Sequence, residues 1–324
     1  MKIVLLGFGN VGRGFARIFH RNQEFLRRYG DVKIAGIYTP SRGVLYNHTG
    51  VSVEKALNCQ GKFSDCMESE NVGSVSELIQ KADILVDVSP TNFETGEPSC
   101  SYIKEALSAG KHVITANKGP VALCFGDLKK FEGPELRYEA TVMSGTPLIS
   151  YLKENFPAAE VKEIQGILNG TTNFILTRMA QGMTFDEALQ KSMESGIAES
   201  DPTADIEGLD ASFKITILAN SLLGGNLHPS DVPVVGIRDL GSPAPGKKWK
   251  LIARAYRAGG LVNAEVRPVE VSRESPFYNV DGTDNAVLIW TDLPGKIFLR
   301  GPGAGGEVTG YGIFLDLIKI LRRC

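Results

Sequence analysis

Asp210 and Lys214 stand four residues apart in the segment GLDASFK, at the head of the apolar run ITILANSLLG. On a helix, side chains four apart share one face. On a solvated face such a pair would contribute only about 0.3–0.5 kcal/mol. Here Ile215, Ile217, Leu218, Leu222 and Leu223 cover much of the circumference, so the lysine is expected against apolar walls. An ammonium deprived of water is suited to proton transfer; a second cation such as Lys118 would ease proton release and Asp210 would oppose it. The lead-in, SGIAESDPTADIEGLD, is dense in acids: Glu199, Asp201, Asp205, Glu207 and Asp210. Asp205 or a neighbour can cap the following helix. Capping does not account for the rest, which fit a site that receives a cation, such as the amino group of an amino acid.

A second chemistry is written at the other end of the chain. LLGFGNVGRG places Gly7, Gly9 and Gly12 directly after a predicted strand and before a predicted helix, with Phe8, Asn10 and Val11 filling the loop. In a dinucleotide fingerprint the first glycine permits a tight turn and the second lets a pyrophosphate approach the backbone. The third lets helix and strand pack closely, and the helix N-terminus offers unpaired N–H groups to the phosphates. The second predicted strand ends IYTPSRG, with no acid for the ribose hydroxyls. Arg42 can instead pair with a 2′-phosphate, which favours NADP over NAD; an exposed loop arginine is the plainer alternative. DVSPTN (87–92) and ITANKGP (114–120) follow later strands, where Ser89, Pro90 and Thr91 would lie beside the cofactor. Lys118 there is either aimed at a ligand or a solvated loop lysine.

The elements that must position these groups read as two kinds. Strands are expected at 2–6, 32–38, 83–89, 111–116 and 135–140, alternating with helices at 12–28, 75–82, 99–109 and 119–131. That order implies a parallel, doubly wound α/β sheet of Rossmann type over residues 1–146. From 147 to 304 the helix PLISYLKENF, the strand VKEIQGIL and the helices TTNFILTRMAQG, TFDEALQKSMESG and GLDASFKITILANSLLG precede strand-like stretches (WKLIARAYRA, LVNAEVRPVEVS, NAVLIWTD, GKIFLRG). These predict an α+β substrate and dimerisation domain on a mostly antiparallel sheet. A last helix, about 305–324, is expected to pack back on the first domain, and GSPAPGKK (241–248) reads as a loop.

A chain of 324 residues suits two domains. A net charge of −2 gives no reason to expect nucleic acid or an anionic membrane as partner. No apolar run nears the about 20 residues that span a bilayer, and none at the N-terminus suits a signal peptide, so a cytoplasmic location is expected. Cys59, Cys66, Cys100, Cys124 and Cys324 are odd in number and lack metal-site spacing; reduced structural thiols are expected. The sequons at Asn47 and Asn169 carry no weight in such a protein, and His20, His48, His112 and His228 suggest no catalytic role.

GFGNVGRG, ITANKGPVA, YEATVMSGTPLI, GILNGTTNFILTRM, SDPTADIEGLDASFKITILAN and GPGAGGEVTGYGIFLDLIKI occur in this order. Together they resemble homoserine dehydrogenase, in a short form without a regulatory domain. The resemblance implies NAD(P)-dependent interconversion of L-aspartate 4-semialdehyde and L-homoserine, on the route to threonine, methionine and isoleucine. It implies Lys214 as general acid/base with Lys118 nearby, Glu199 and Asp210 as substrate-holding residues, and Asp205 as a supporting acid. It implies that the backbones of Gly196 and Gly305 approach the nicotinamide. It further implies a homodimer, and a sodium site of mainly backbone carbonyls at Glu139, Val142, Ser144 and Thr146, although the family more often has glycine where this chain has Ser144. Two rivals remain at this stage: a semialdehyde-oxidising dehydrogenase with a cysteine nucleophile, and a non-catalytic NAD(P) sensor. Cys324 in a homodimer would have the opportunity to bridge to its copy, an idle thiol being the alternative.

Overall fold

A computed structural model describes residues 1–241, 244 and 247–323. The loop expected at 241–248 falls partly outside these residues, and so does Cys324. The chain forms two compact units: Met1–Gly145 together with the chain from Gly305 onward, and Thr146–Ala304.

The first unit is built on a six-stranded sheet of β1 (Lys2–Leu6), β2 (Lys33–Thr39), β3 (Gly43–Tyr46), β4 (Ile84–Asp87), β5 (His112–Thr115) and β6 (Leu136–Arg137). Its order is β3-β2-β1-β4-β5-β6. All pairings are parallel except β3, which folds back antiparallel on β2. Ile3, Val4, Leu5, Ile84, Leu85 and Val86 are wholly buried, as central strands covered on both faces require. The expected strand at 135–140 is reduced to two residues, because a 3-10 turn at Glu139–Thr141 takes up its end. The expected 12–28 helix starts earlier, at Asn10, and ends at Arg21; Asn22 breaks it before two short turns. β3 and the short helices Val53–Asn58 and Phe63–Cys66 are additions that periodicity did not mark.

Glycine lets the first and last helices of this unit nearly touch. A Cβ on Gly14 would lie 2.2 Å from the Gly306 carbonyl oxygen, and one on Gly310 2.4 Å from the Phe15 nitrogen. The Gly306–Leu321 helix thereby seats Ile313, Leu317 and Ile320 in the core shared with Phe15 and Phe19.

A buried polar network fastens the ends of β4 and β5. Asp87, fully buried, accepts from Ser89 Oγ at 2.6 Å and Thr115 Oγ1 at 3.1 Å. Asn117 Nδ2 donates to Ser89 Oγ, Ser99 Oγ and the Pro90 carbonyl. Its Oδ1 accepts from the Gly119 N–H at 3.0 Å, capping the Lys118–Leu123 helix. Burial pushes the Asp87 carboxyl up from its ordinary value, against the pull of the hydroxyl bonds.

The second unit is a five-stranded sheet of β7 (Val161–Ile167), β8 (Lys248–Ala258), β9 (Leu261–Val271), β10 (Asp284–Thr291) and β11 (Lys296–Pro302), ordered β11-β10-β7-β8-β9. Every pairing is antiparallel. β8 and β9 are joined by Gly259 and Gly260, both at positive φ, as a two-residue hairpin turn demands. The Leu209–Leu222 helix is buried at every position from Asp210 to Asn220, so it reads as a helix apolar all round. It enters through Gly208 at φ 81, where a side chain would strain the backbone and meet Val234.

Two outcomes follow from these contacts. Gly310→Ala should cost about 1–3 kcal/mol by forcing helix and helix apart, seen as a lower Tm with the sheet's circular dichroism retained. For Asp87, folding raises the carboxyl's pKa, so the stability tied to its proton is fully present at acid pH and lost as pH rises through the folded value. Asp87→Asn removes that titration. Denaturant melts at about pH 5 and about pH 8 should show the variant gaining on the wild type at the higher pH; an equal difference at both would mean that Asp87 does not titrate there.

Candidate active site

In the second unit the side chains converge on Lys214. Its Nζ donates to Asp210 Oδ2 at 2.7 Å and to the Leu168 carbonyl at 2.7 Å. Both side chains are about nine-tenths buried, with exposures of 10% and 9%. Asn169 Nδ2 donates to Asp210 Oδ2 at 2.9 Å and to Asp205 Oδ1 at 2.6 Å. The same amide's Oδ1 accepts from the Thr172 N–H at 2.8 Å and caps the Gly170–Met179 helix. Leu168 and Asn169 directly follow β7, so one strand end supplies both the carbonyl and the amide. An ammonium has three donors; two are engaged here, and the third can meet a substrate oxygen.

The acids divide. Asp205 does not cap the helix, which has Gly208 at its N-cap and no side-chain cap; its carboxylate is bonded to Asn169 instead. Asp201 is exposed and accepts from the Thr203 N–H, and Glu207 pairs with Arg238 at 3.3 Å. Glu199 is exposed, and Gly196 turns at φ 66 with open space where a side chain would be. The structure therefore joins Asp210 to Lys214 directly, links Asp205 to Asp210 through Asn169, and leaves Glu199 at the surface. Apolar walls alone do not surround the lysine, because a carboxylate and a carbonyl lie against it.

In the first unit the glycine loop divides its tasks as the motif requires. Gly7 has φ 101, and a Cβ there would lie 2.5 Å from the Val88 carbonyl oxygen. Gly12 abuts the Gly7 carbonyl, its Cβ position 2.8 Å away. Gly9, the N-cap of the first helix, has nothing within 4 Å of that position, so its backbone is open to a phosphate. Asn10 is exposed and Val11 half-buried, while Phe8 is buried edge-on to Phe63. These features fit a dinucleotide.

Ser89 turns its hydroxyl to Asp87, Ser99 and Asn117. It thus steadies the Pro90–Thr91 turn rather than presenting the hydroxyl to a ligand. Lys118 is half-buried at the first position of its helix, so it is neither a loop residue nor solvated along its length. Arg42 is half-buried, with Nη2 bonded to the Cys59 carbonyl and Nη1 buried without a hydrogen-bond partner. An orphaned guanidinium nitrogen suits an anionic oxygen.

Glu139, Val142 and Ser144 lie buried in the first unit, and Thr146 opens the second. Met143 and Ser144 both have positive φ, 58 and 56. That conformation explains why glycine suits the position of Ser144. The Ser144 hydroxyl bonds Thr309 at 2.7 Å, leaving the carbonyl as its candidate ligand atom. The Glu139 N–H donates to Asp316 Oδ2 at 2.8 Å, and its carboxylate lies 4.0 Å from Lys319. Burial, aided by the neighbouring Glu139 charge, raises the Asp316 carboxyl to about 7. Carbonyl donors with one buried carboxylate suit a hard cation better than a transition metal. No cluster of three metal-ligating side chains occurs among the described residues. Gly305, at φ 129, is the N-cap of the C-terminal helix.

The cysteines overturn the expectation of free thiols. Cys59 is bridged to Cys66 and Cys100 to Cys124, with Cα separations of 5.9 and 6.4 Å. The fold brings these pairs within bridging range, which spacing along the chain does not reveal. Four of the five cysteines are thereby withdrawn as nucleophiles, and the bridge suggested for Cys324 lies outside the described residues. Asn169 is the residue that reading the sequence missed. Its signal was a hydrogen-bonding side chain just after a strand, in the most distinctive segment of the chain, but it was set aside as a sequon.

The family profile described as "Homoserine dehydrogenase" matches residues 147–318, and "Homoserine dehydrogenase, NAD binding domain" matches residues 7–130. The Homoserine dehydrogenase of Sulfurisphaera tokodaii is 42% identical, with 100% of each chain covered. The NAD(+)-dependent homoserine dehydrogenase of Pseudomonas canavaninivorans is 36% identical, over 98% of this chain and 96% of the relative. A solved hyperthermophilic archaeal homoserine dehydrogenase in complex with NADPH is 34% identical and superposes with a TM-score of 0.86, covering 100% of this chain and 98% of that one. A buried lysine fixed by acids in one unit and an open glycine loop in the other are thus found in a chain that belongs, over its whole length, to the homoserine dehydrogenases, NAD(P)-dependent oxidoreductases.

Proposed function

We propose that this chain interconverts L-aspartate 4-semialdehyde and L-homoserine, with NADP preferred over NAD and Lys214 as general acid/base. The observation that carries the reading is the nearly buried Lys214 ammonium, fixed by Asp210 and the Leu168 carbonyl with one donor left over. Bound NADPH supplies the hydride that reduces the aldehyde carbon. Lys214 meets the oxygen on that carbon and delivers a proton as charge grows there; in the reverse direction it takes the hydroxyl proton. Asp210 and Asn169 hold Lys214 in place, so little reorganisation accompanies the transfer. Glu199 and Asp210 receive the substrate's ammonium, with Asp205 as the supporting acid, tied to Asp210 through Asn169. Lys118, Gly196 and Gly305 are assigned to the cofactor, and Gly196 has open space where a side chain would be.

Both coenzymes occur among the relatives, one being NAD(+)-dependent and one solved with NADPH. Arg42, with its unpartnered Nη1, supports NADP here. We assign a sodium ion to the carbonyl-rich segment of Glu139, Val142, Ser144 and Thr146. The exposed Phe298 on edge strand β11 supports a homodimer through this sheet. No described helix is long and apolar enough to cross a membrane, in keeping with a cytoplasmic enzyme acting on small molecules in the aspartate-family amino-acid route.

Lys214→Ala should lower kcat for L-homoserine oxidation by about 10²–10⁴-fold while leaving the Kd for NADPH within a factor of about two. A near-normal kcat would remove Lys214 from the chemistry. Arg42→Ala should raise KM for NADP by about tenfold, the loss expected of one charge-assisted bond, and leave KM for NAD unchanged. Initial rates with each coenzyme, with and without sodium, measure both the preference and the ion's role.

A further inference from the structure

The backbone N–H of Arg42 bonds Thr39, but its side chain rests on the loop that the Cys59–Cys66 bridge closes. Its Nη2 donates to the Cys59 carbonyl, its guanidinium carbon lies 5.4 Å from the centre of the Phe63 ring, and its own carbonyl accepts from the Phe63 N–H at 3.1 Å. Phe63 is fully buried and meets Phe8 of the glycine loop at 6.1 Å. Arg13 is tied to the same stretch, its Nη2 donating to the Leu57 carbonyl and its guanidinium stacking on Phe8 at 5.7 Å. Burial lowers the Arg13 guanidinium below its ordinary value, and the nearby charges of Arg17 and Arg42 lower it further. Arg17 and Arg42 thus both act on Arg13, and Nη1 of Arg42 is buried without a hydrogen-bond partner.

We propose that the Cys59–Cys66 bridge determines coenzyme selectivity, by fixing the loop whose Cys59 carbonyl and Phe63 ring hold Arg42 ready for a nucleotide 2′-phosphate. The proposal rests on the reading of Arg42 given above and adds the element that positions it. An arginine fork loses affinity when it must be ordered at the moment of binding. The bridge spans seven positions and limits the conformers of the loop. Cys66 is exposed whereas Cys59 is buried at 4%, so a reductant reaches the bridge from the Cys66 side. A dithiol's thiolate attacks Cys66 Sγ, the S–S bond breaks, and Cys59 Sγ leaves as a thiolate that takes a proton. The dithiol's second sulfur then displaces Cys66 Sγ as the cyclic disulfide forms. Two electrons and two protons pass to the protein. The loop is then held by packing alone, and Arg42 loses its fixed frame while the rest of the adenosine site keeps its own.

The test uses the full chain and two fragments that differ by the one phosphate, 2′,5′-ADP and 5′-AMP, with Kd measured by calorimetry and free thiols counted in parallel. The oxidised protein should favour 2′,5′-ADP. Treatment with dithiothreitol, and independently the Cys59→Ser/Cys66→Ser variant, which keeps Cys100–Cys124, should each lower that preference by about tenfold with 5′-AMP binding unchanged. Arg42→Ala should abolish the preference. If Arg42→Ala abolishes it but opening the bridge leaves it intact, the bridge has no role and the reading of Arg42 stands. If Arg42→Ala leaves the preference intact, that reading fails and this proposal with it. Equal weakening of both fragments on opening the bridge, or free thiols at Cys59 and Cys66 in the untreated protein, overturns the proposal. Should the double variant fail to fold, the dithiothreitol arm decides.

Discussion

The contact between the Lys214 ammonium and the Asp210 carboxylate sets the terms for the second unit. Taking both charges out of water costs several kcal/mol per ion unless each finds further partners. The sequence meets that demand locally. Four-residue spacing puts the two side chains on one helix face, and the Leu168 carbonyl and the Asn169 amide supply the remaining contacts. Because Asn169 also caps the Gly170–Met179 helix, the end of β7, the start of one helix and the buried face of another are fixed against each other. Gly208 is what lets the chain enter that arrangement, since its left-handed backbone brings Asp210 inside directly after an exposed Glu207 and Leu209.

The first unit answers a different constraint, which is proximity of backbones. Gly7, Gly12, Gly14 and Gly310 each occupy a place where a Cβ would collide with main-chain atoms, whereas Gly9 is open. The distinction separates glycines needed for packing from the one that leaves room for a ligand. The Asp87, Ser99 and Asn117 network works at the same strand ends. It satisfies the buried Asp87 carboxyl with the hydroxyls of Ser89, Ser99 and Thr115 and the Ser89 N–H, while the Asn117 amide holds two of those hydroxyls.

Much of this was legible in residue order. β1, β7, β8 and β9 fall where the strand-like stretches put them, because those signals are local. The glycine loop and the Asp210–Lys214 pair were legible for the same reason. What escaped depends on contacts between distant positions. Cys100 and Cys124 are separated by 24 residues, and only the packing of the Ser99–Ser108 helix near the Lys118–Leu123 helix makes them neighbours. β3 is a short edge strand whose antiparallel return breaks the βαβ alternation. The strand expected at 135–140 failed because Glu139 bonds through its N–H to Asp316, far along the chain, in place of a ladder partner. The local setting permits Asp205 or a neighbour to cap the following helix, and Asn169, 36 positions away, takes the Asp205 carboxylate instead.

A net charge of −2 conceals how the charges are sorted. The first unit collects Arg13, Arg17 and Arg42 around the glycine loop, while the second gathers Glu199, Asp205 and Asp210 before and within one helix. A dinucleotide brings phosphates and no ammonium; an amino acid with an aldehyde or hydroxyl side chain brings an ammonium and one carboxylate. Under the proposed function each ligand meets attraction in one unit and repulsion in the other, with the exposed Arg17 and Glu199 screened by salt more than the buried Asp210. Specificity of this kind needs no close fit to the reacting carbon. Under that proposal Lys214 is left to serve the reaction, since the Asp210 carboxylate that holds it also belongs to the surface proposed to select the amine.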